Sequence, residues 1–151
     1  MAKSIARSFR EPLGPAGHPL YSALLPVPIV CFTGALVTDL AYSRAPDMMW
    51  LDFSSWLLLA GLIFGGIAGV VLIAELFRAR RGGRLGPLAI HFALLLAAFA
   101  VEIVNSFVHT RDGWTAVVPT GLTLSVIAVV LSLLAGWFWQ SHNCRPAGDA
   151  R

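Results

Sequence analysis

Four polar side chains in and directly after the third long apolar stretch are the residues best placed to do chemistry. Glu102, Asn105 and His109 follow His91 by 11, 14 and 18 residues. At about 100° per residue, Glu102 and His109 fall within about 20° of His91, and Asn105 within about 40°. These four residues form one stripe on a helix, called here the polar stripe. Because ionisable groups at membrane depth are costly and often functional, we predict that the stripe faces the interior of a helical bundle.

Two further acids, Asp39 and Glu75, lie near the ends of apolar stretches. Residues so placed are usually hydrated at the membrane interface, and we expect this of both; a role within the membrane is the alternative. Glu102 lies about 7 Å inside the boundary of its stretch by the helical rise. We expect it to form a hydrogen bond across helices that fixes packing. A proton relay built on Asp39, Glu102 and Glu75 is the alternative.

The histidines suggest a cofactor site. A b-type haem in a helical bundle is held by imidazoles from facing helices. His91 lies about one turn inside the membrane, and His18 and His142 lie near the same level. His18 with His91 is therefore the candidate ligand pair for haem b, with a hydrogen-bonded His91 as the alternative. Cys31 and Cys144 are far apart, which argues against a disulfide or a cysteine-based zinc site.

The elements that must position these residues are long apolar helices. Of the 151 residues, 57% are hydrophobic and 13% charged, whereas a soluble domain is about 25% charged. Four apolar stretches, about 21–42, 54–77, 87–108 and 116–139, reach the roughly 20 residues that span a bilayer. Because backbone groups in lipid must be paired internally, the stretches should be helices. The predicted fold is all-α: a four-helix transmembrane bundle over 18–143, with a basic segment at 1–17 and a tail at 144–151.

The distribution of basic residues predicts the orientation. Nine of the eleven Lys and Arg residues lie in the N-terminal segment, the loop after the second helix and the tail. Arg44 and Arg111 lie on the opposite side. By the positive-inside rule, both termini are expected in the cytoplasm. The sequence shows no cleavable signal peptide, so we expect the first stretch to stay as an anchor.

Small and basic residues of the second helix predict its contacts. Gly61, Gly65 and Gly69 form a stripe that lets another helix approach closely, which we expect to belong to the same bundle. A basic cluster, expected to contact lipid headgroups, consists of Arg78, Arg80, Arg81 and Arg84. The sequence has no phosphate-binding loop, no nucleophile elbow and no broad basic surface with aromatic residues. We therefore predict neither catalysis nor nucleic-acid binding.

The opening of the membrane region, residues 17–29 (GHPLYSALLPVPI), resembles that of a bacterial family of small four-helix membrane proteins of unknown function. Asp39, His91 and the pair Gly136 and Trp137 match weaker features of that family. Members are sometimes joined to Rieske iron–sulphur or c-type cytochrome domains. The resemblance therefore implies the bacterial inner membrane and the neighbourhood of membrane electron transfer. Tyr21 stands where members often have a second histidine, so the resemblance supplies no second haem ligand there.

Three functions fit these patterns. The first is an accessory or structural subunit of a larger membrane complex, which contacts the lipid bilayer and either other subunits or a second copy. The second is a b-type haem-binding electron-transfer protein that uses His18 and His91. The third is a small transporter or proton-relay element. We expect the first, because four helices are few for a transporter and the chain lacks a second deep histidine.

Overall fold

The computed structural model describes residues 19–81, 86–111 and 117–143, except for the side chains of residues 19, 20, 22, 87, 142 and 143. Its helices are α1 (Pro19–Leu24), α2 (Pro26–Arg44), α3 (Met48–Arg81), α4 (Gly86–His109) and α5 (Leu122–Asn143). An irregular helical turn, Val117–Gly121, precedes α5 and is kinked at Val118. The described residues contain no strand.

Four segments are long and apolar enough to cross a membrane. They are Pro26–Arg44, Met48–Arg81, Leu88–His109 and Val117–Ser141. The predicted all-α fold with four transmembrane helices is thereby confirmed, while the cytoplasmic placement of both termini stays a prediction. We call the end of the bundle where α2 joins α3, and where α4 leads to α5, the upper end. The opposite end is the lower end.

The helices pack as two hairpins. α2 packs mainly on α3, and α4 mainly on α5, while contacts of α2 with α5 and of α3 with α4 join the hairpins. α1 continues into α2 through Leu25, whose backbone angles remain helical and whose N–H donates to the Tyr21 carbonyl at 2.9 Å. Pro26 and Pro28 lack an N–H donor. The helix therefore loses two backbone bonds here without a sharp break.

α3 is longer than its apolar stretch. Hydropathy predicts 54–77, whereas the helix begins at Met48 and ends at Arg81. Asp47 supports the start, because its Oδ1 accepts the Met49 N–H at 2.9 Å. At about 1.5 Å per residue, α3 is about 51 Å long, against roughly 30 Å of hydrocarbon. Hydropathy marks the part of a helix that lies in hydrocarbon. The helix continues beyond that part because its backbone N–H and C=O groups remain hydrogen-bonded to each other.

The interior contains three apolar layers. From the lower end upward they consist of Tyr21, Leu72 and Leu88; of Phe32, Ala35 and Leu58; and of Tyr42, Leu51 and Val117. Between the middle and upper layers the interior is polar. Asp39 lies between Ala35 and Tyr42 along α2, and Ser54 lies between the same two layers along α3. The bundle therefore buries a group of polar side chains at this depth.

Candidate functional site

Six polar side chains from all four spanning helices meet between the middle and upper layers. This group, called here the polar cluster, consists of Asp39 of α2, Ser54 of α3, Glu102, Asn105 and His109 of α4, and Ser125 of α5. Five of the six are fully buried, and His109 is 5% exposed. In such surroundings each polar atom needs a partner within the protein.

Asp39 is the centre of the polar cluster. Its Oδ1 accepts hydrogen bonds from Ser54 Oγ at 2.6 Å and from His109 Nε2 at 2.9 Å. Its Oδ2 accepts one from Ser125 Oγ at 2.7 Å. The expectation that Asp39 is hydrated at the interface is wrong. Asp39 lies more than one turn inside α2 and shares the face of Ala35 and Tyr42, so it points into the bundle.

The partners of His109 define its hydrogens. Its Nδ1 lies 3.0 Å from the backbone carbonyl of Asn105. Because a carbonyl can only accept, Nδ1 carries a hydrogen. Its Nε2 faces Asp39 Oδ1, so one proton lies between these two atoms. The Asp39–His109 pair therefore has no net charge, whichever of the two atoms holds that proton.

Glu102 and Asn105 complete the polar cluster on α4. The Asn105 amide donates to Glu102 Oε2 at 3.0 Å and to Ser125 Oγ at 2.8 Å. The described bond of Glu102 therefore lies within α4, and the expectation that Glu102 bonds across helices is wrong; Asn105 makes the bond to α5. Glu102 Oε1 and Asn105 Oδ1 have no hydrogen-bond partner among the described residues. Two acceptors at the same depth thus remain without a donor.

His91 lies apart, in the lower part of the bundle, and is 2% exposed. Its Nδ1 lies 3.0 Å from the Ala135 carbonyl and therefore donates. Its Nε2 lies 2.8 Å from the Tyr21 hydroxyl and accepts. The Trp139 ring packs against the imidazole, with 5.0 Å between ring centroids. The polar stripe is therefore buried along its whole length but divided between two separate sites.

Haem binding by His18 and His91 stays a prediction. Both ring nitrogens of His91 are already bonded within the bundle, so ligation to iron would break the bond to Tyr21. His18, the other predicted ligand, lies outside the described residues, and the side chain of His142 is not described. Within the described ranges, no three His, Cys, Asp or Glu side chains are grouped so as to hold a metal ion.

Apolar side chains separate the two polar sites. Leu58, Ala98 and Ala128 are at most 2% exposed and occupy the interior between them. Along α4, Glu102 and His91 are about 16 Å apart by the helical rise. The described side chains therefore form no continuous polar path from the polar cluster to His91.

The three glycines spaced four residues apart on α3, Gly61, Gly65 and Gly69, have different neighbours. A Cβ on Gly61 would overlap the Phe32 ring, and one on Gly65 would lie 3.1 Å from the Phe99 ring. Gly61 and Gly65 therefore serve close packing within the bundle. A Cβ on Gly69 would have nothing within 4 Å among the described residues.

Gly69 borders an apolar groove between α2, α3 and α4. The groove has a volume of about 200 Å³, is partly open, and includes Pro28, Gly65 and Phe99 among its walls. Two lining hydroxyls are already bonded: that of Tyr21 to His91, and that of Ser132 to a carbonyl of its own helix. An occupant of the groove must therefore be apolar.

The lower end of α3 carries the remaining predicted site residues. Glu75 accepts a hydrogen bond from Arg78 at 2.6 Å, and Arg78 is 69% exposed. Arg80 and Arg81 lie one turn or less from the end of the helix, and Arg84 lies outside the described residues. Contact of these arginines with lipid headgroups stays a prediction.

Sequence reasoning missed three side chains that complete these sites: Tyr21, Ser54 and Ser125. A signal for the serines was present. Ser54 follows the buried Leu51 by three residues and precedes the buried Leu58 by four, which is the spacing of one helix face. Applying the same periodicity to small hydroxyl side chains would have placed them inside the bundle.

These features define a small integral membrane protein with four spanning helices and a buried polar interior. The chain belongs to the family described as predicted membrane protein (DUF2231), whose model matches residues 17–142. This confirms the expected membership of a membrane-protein family of unknown function. Comparisons with curated proteins and with solved structures find no match.

Proposed function

We propose that the protein is an accessory subunit of a larger membrane assembly and that a transmembrane helix of another subunit packs into the groove beside Gly69. The groove is the observation that carries this proposal. Its lining is apolar, it is partly open, and Gly69, which has no neighbour within 4 Å of an added Cβ, lies at its edge. Small residues at such a surface let a second helix approach closely, and close packing drives helix association in lipid.

The interior supports this choice over the two alternatives. Transport needs a path across the membrane, and an apolar layer lies between the polar cluster and His91. A haem needs a free imidazole nitrogen, and both nitrogens of His91 are engaged. An accessory subunit needs neither, because its contribution is the shape of its outer surface.

The proposed assembly is an electron-transfer complex of the bacterial inner membrane. Support comes from the resemblance to a family whose members are sometimes joined to Rieske or c-type cytochrome domains. The proposed orientation, with both termini in the cytoplasm, is supported by the distribution of Lys and Arg. A second copy of this chain is the other occupant that the groove would admit.

Filling the groove tests the proposal. Gly69→Leu places a large side chain where a partner helix would pack, and Gly136→Leu is the matched control. Gly136 is also a helical glycine, and a Cβ on it would have nothing within 4 Å among the described residues, but it does not line the groove. Each variant replaces the wild-type protein in its host and is extracted in mild detergent. The size and composition of the complex are then measured by native electrophoresis and mass spectrometry.

We expect wild type and Gly136→Leu to migrate in a complex with redox subunits, and Gly69→Leu to be released from it. A complex that retains Gly69→Leu at wild-type stoichiometry would contradict the proposed docking site. A wild-type protein that migrates alone, or with copies of itself, would contradict the accessory role.

A further inference from the structure

The unpaired atoms of the polar cluster point to a ligand. Glu102 and Asn105 are both fully buried. Glu102 Oε1 and Asn105 Oδ1 have no donor among the described residues, although every other polar side-chain atom described in the polar cluster is bonded. A buried acceptor without a donor is costly and rare, and such atoms often mark a place where something binds.

Protonation of Glu102 accounts for both unpaired acceptors, because the two side chains are already joined at Oε2. A proton on Glu102 Oε1 turns that atom into a donor, and Asn105 Oδ1 is the acceptor in this group that still lacks one. The Asn105 amide already donates to the other carboxyl oxygen, Oε2, at 3.0 Å. A carboxylic acid and a primary amide joined in this way can form two hydrogen bonds side by side. We propose that the polar cluster is a proton-binding site in which Glu102 carries the proton and Asn105 positions it.

The hydrogen-bond donors around the two carboxyl groups identify Glu102, rather than Asp39, as the group that carries the proton. Both oxygens of Asp39 are occupied by donors, namely Ser54, His109 and Ser125. Glu102 accepts one hydrogen bond and leaves Oε1 free. Donors favour the charged form of a carboxyl group, and their absence favours the neutral form. Asp39 is therefore the fixed acceptor of the polar cluster, and Glu102 is the acid that gains or loses a proton.

The surroundings of Glu102 fix the charge that accompanies this proton. The described titratable groups that face it are Asp39 on α2 and His109 on α4, while α3 and α5 contribute the hydroxyls of Ser54 and Ser125. The Asp39–His109 pair is neutral as a unit. The polar cluster thus has no net charge when Glu102 holds a proton and one negative charge when it does not. Such a charge is costly at membrane depth, so proton release requires access to water or an approaching cation.

The proton fits the two free oxygens better than a metal ion does. Calcium takes about six to eight oxygen ligands, and magnesium requires an octahedral shell. The polar cluster offers two unpaired oxygens, because those of Asp39 are already engaged. A buried water is the competing occupant, since it can donate to both atoms at once. A water leaves Glu102 ionised, and that difference is measurable.

Access to Glu102 is shorter from the upper end. The layer of Tyr42, Leu51 and Val117 covers the polar cluster there and is at most 6% exposed. Towards the lower end, the apolar residues Ala98 and Ala128 come first, followed by Ser132 of α5 and by His91, which is about 16 Å away along α4. Proton exchange therefore requires opening of the upper layer and leaves the middle layer closed.

Infrared difference spectroscopy of the full chain in phosphatidylcholine vesicles tests the proposal. A protonated carboxyl group has a C=O band that an ionised one lacks, and the band shifts in D₂O. Glu102→Gln is the diagnostic variant, because its amide can replace both hydrogen bonds of the neutral acid. Glu75→Gln is the matched control, because Glu75 pairs with the exposed Arg78. Uniform ¹³C labelling of Glu assigns the band in the wild-type protein even where a variant does not fold.

We expect one Glu band in wild type and Glu75→Gln at neutral pH that disappears reversibly at alkaline pH. In Glu102→Gln that band should be absent while the helical content is unchanged. The equilibrium constant for folding should fall with rising pH in wild type, by at most about tenfold per pH unit for one proton, and change less in Glu102→Gln. Absence of the band at every pH would indicate an ionised Glu102 with a bound water and overturn the proposal. A band that persists at every pH at which the protein is folded would also overturn it, because the proton would then not be exchangeable.

Discussion

Replacing Asp39 measures how much the polar cluster stabilises the bundle. Asp39→Ala removes the acceptor of three hydrogen bonds and leaves His109 buried without its charge partner. Removing one partner of a buried ion pair costs about 3–5 kcal/mol. The two serine hydroxyls add little, because side-chain hydrogen bonds in membrane bundles average about 0.6 kcal/mol. We therefore expect the free energy of unfolding to fall by about 3–5 kcal/mol.

Asp39→Asn should lower the free energy of unfolding by about half as much as Asp39→Ala, and the loss arises from the hydrogens of His109. The asparagine retains Oδ1 as an acceptor, but it lacks the negative charge of Asp39, so the proton shared by the pair is lost and His109 is a neutral imidazole. A neutral imidazole has one N–H, and His109 needs two, for Asp39 Oδ1 and for the Asn105 carbonyl. One charge-assisted hydrogen bond is lost, which is worth about 1.5–3 kcal/mol.

The assay is reversible unfolding in mixed micelles, followed by far-ultraviolet circular dichroism. Asp52→Asn serves as the control, because Asp52 is an exposed acid on α3 and its replacement should leave stability unchanged. If Asp39→Ala unfolded at the same denaturant concentration as wild type, the polar cluster would not hold the helices together. If Asp39→Asn and Asp39→Ala were equally unstable, the reasoning about the single imidazole hydrogen would be refuted.

Two other substitutions probe the packing of the bundle. Gly61→Ala should lower the free energy of unfolding by about 1–3 kcal/mol, because the new Cβ overlaps the Phe32 ring. Gly69→Ala should leave the free energy of unfolding unchanged. An equal loss in both variants would contradict the different packing described for these two glycines. Tyr21→Phe removes the donor to His91 Nε2 and should cost about 1–2 kcal/mol. It should also change the fluorescence of Trp139, whose ring packs on the imidazole. An unchanged spectrum would show that the bond from Tyr21 does not hold the His91 ring against Trp139.

The helices and the polar face of α4 were predictable because each rests on a periodic or cumulative signal. Hydropathy identifies a spanning helix by summing about 20 residues, so single exceptions such as Asp39 do not disturb it. The positions of Glu102, Asn105 and His109 repeat with the helical period. Both signals lie within one segment and require no knowledge of its neighbours.

The partners of these groups were not predictable, because partner choice depends on how the helices rotate and shift against each other. His91 illustrates this. Its depth suggests a ligand, yet its orientation places Nε2 on Tyr21 and Nδ1 on the Ala135 carbonyl. For Asp39, the distance from the helix end predicts the wrong environment. Its burial is decided by the helix face that it shares with buried residues.

The arrangement of the polar cluster bears on how the protein is inserted. Asp39 already bonds Ser54 within the first hairpin, and Asn105 already bonds Ser125 within the second. Each hairpin can thus enter the bilayer with some of its polar side chains already hydrogen-bonded. This lowers the free-energy cost of placing a polar residue in lipid. The bonds of Asp39 to His109 and Ser125 form once the hairpins meet. Because hydrogen bonds need a defined distance and direction, these bonds fix the depth of the second hairpin relative to the first.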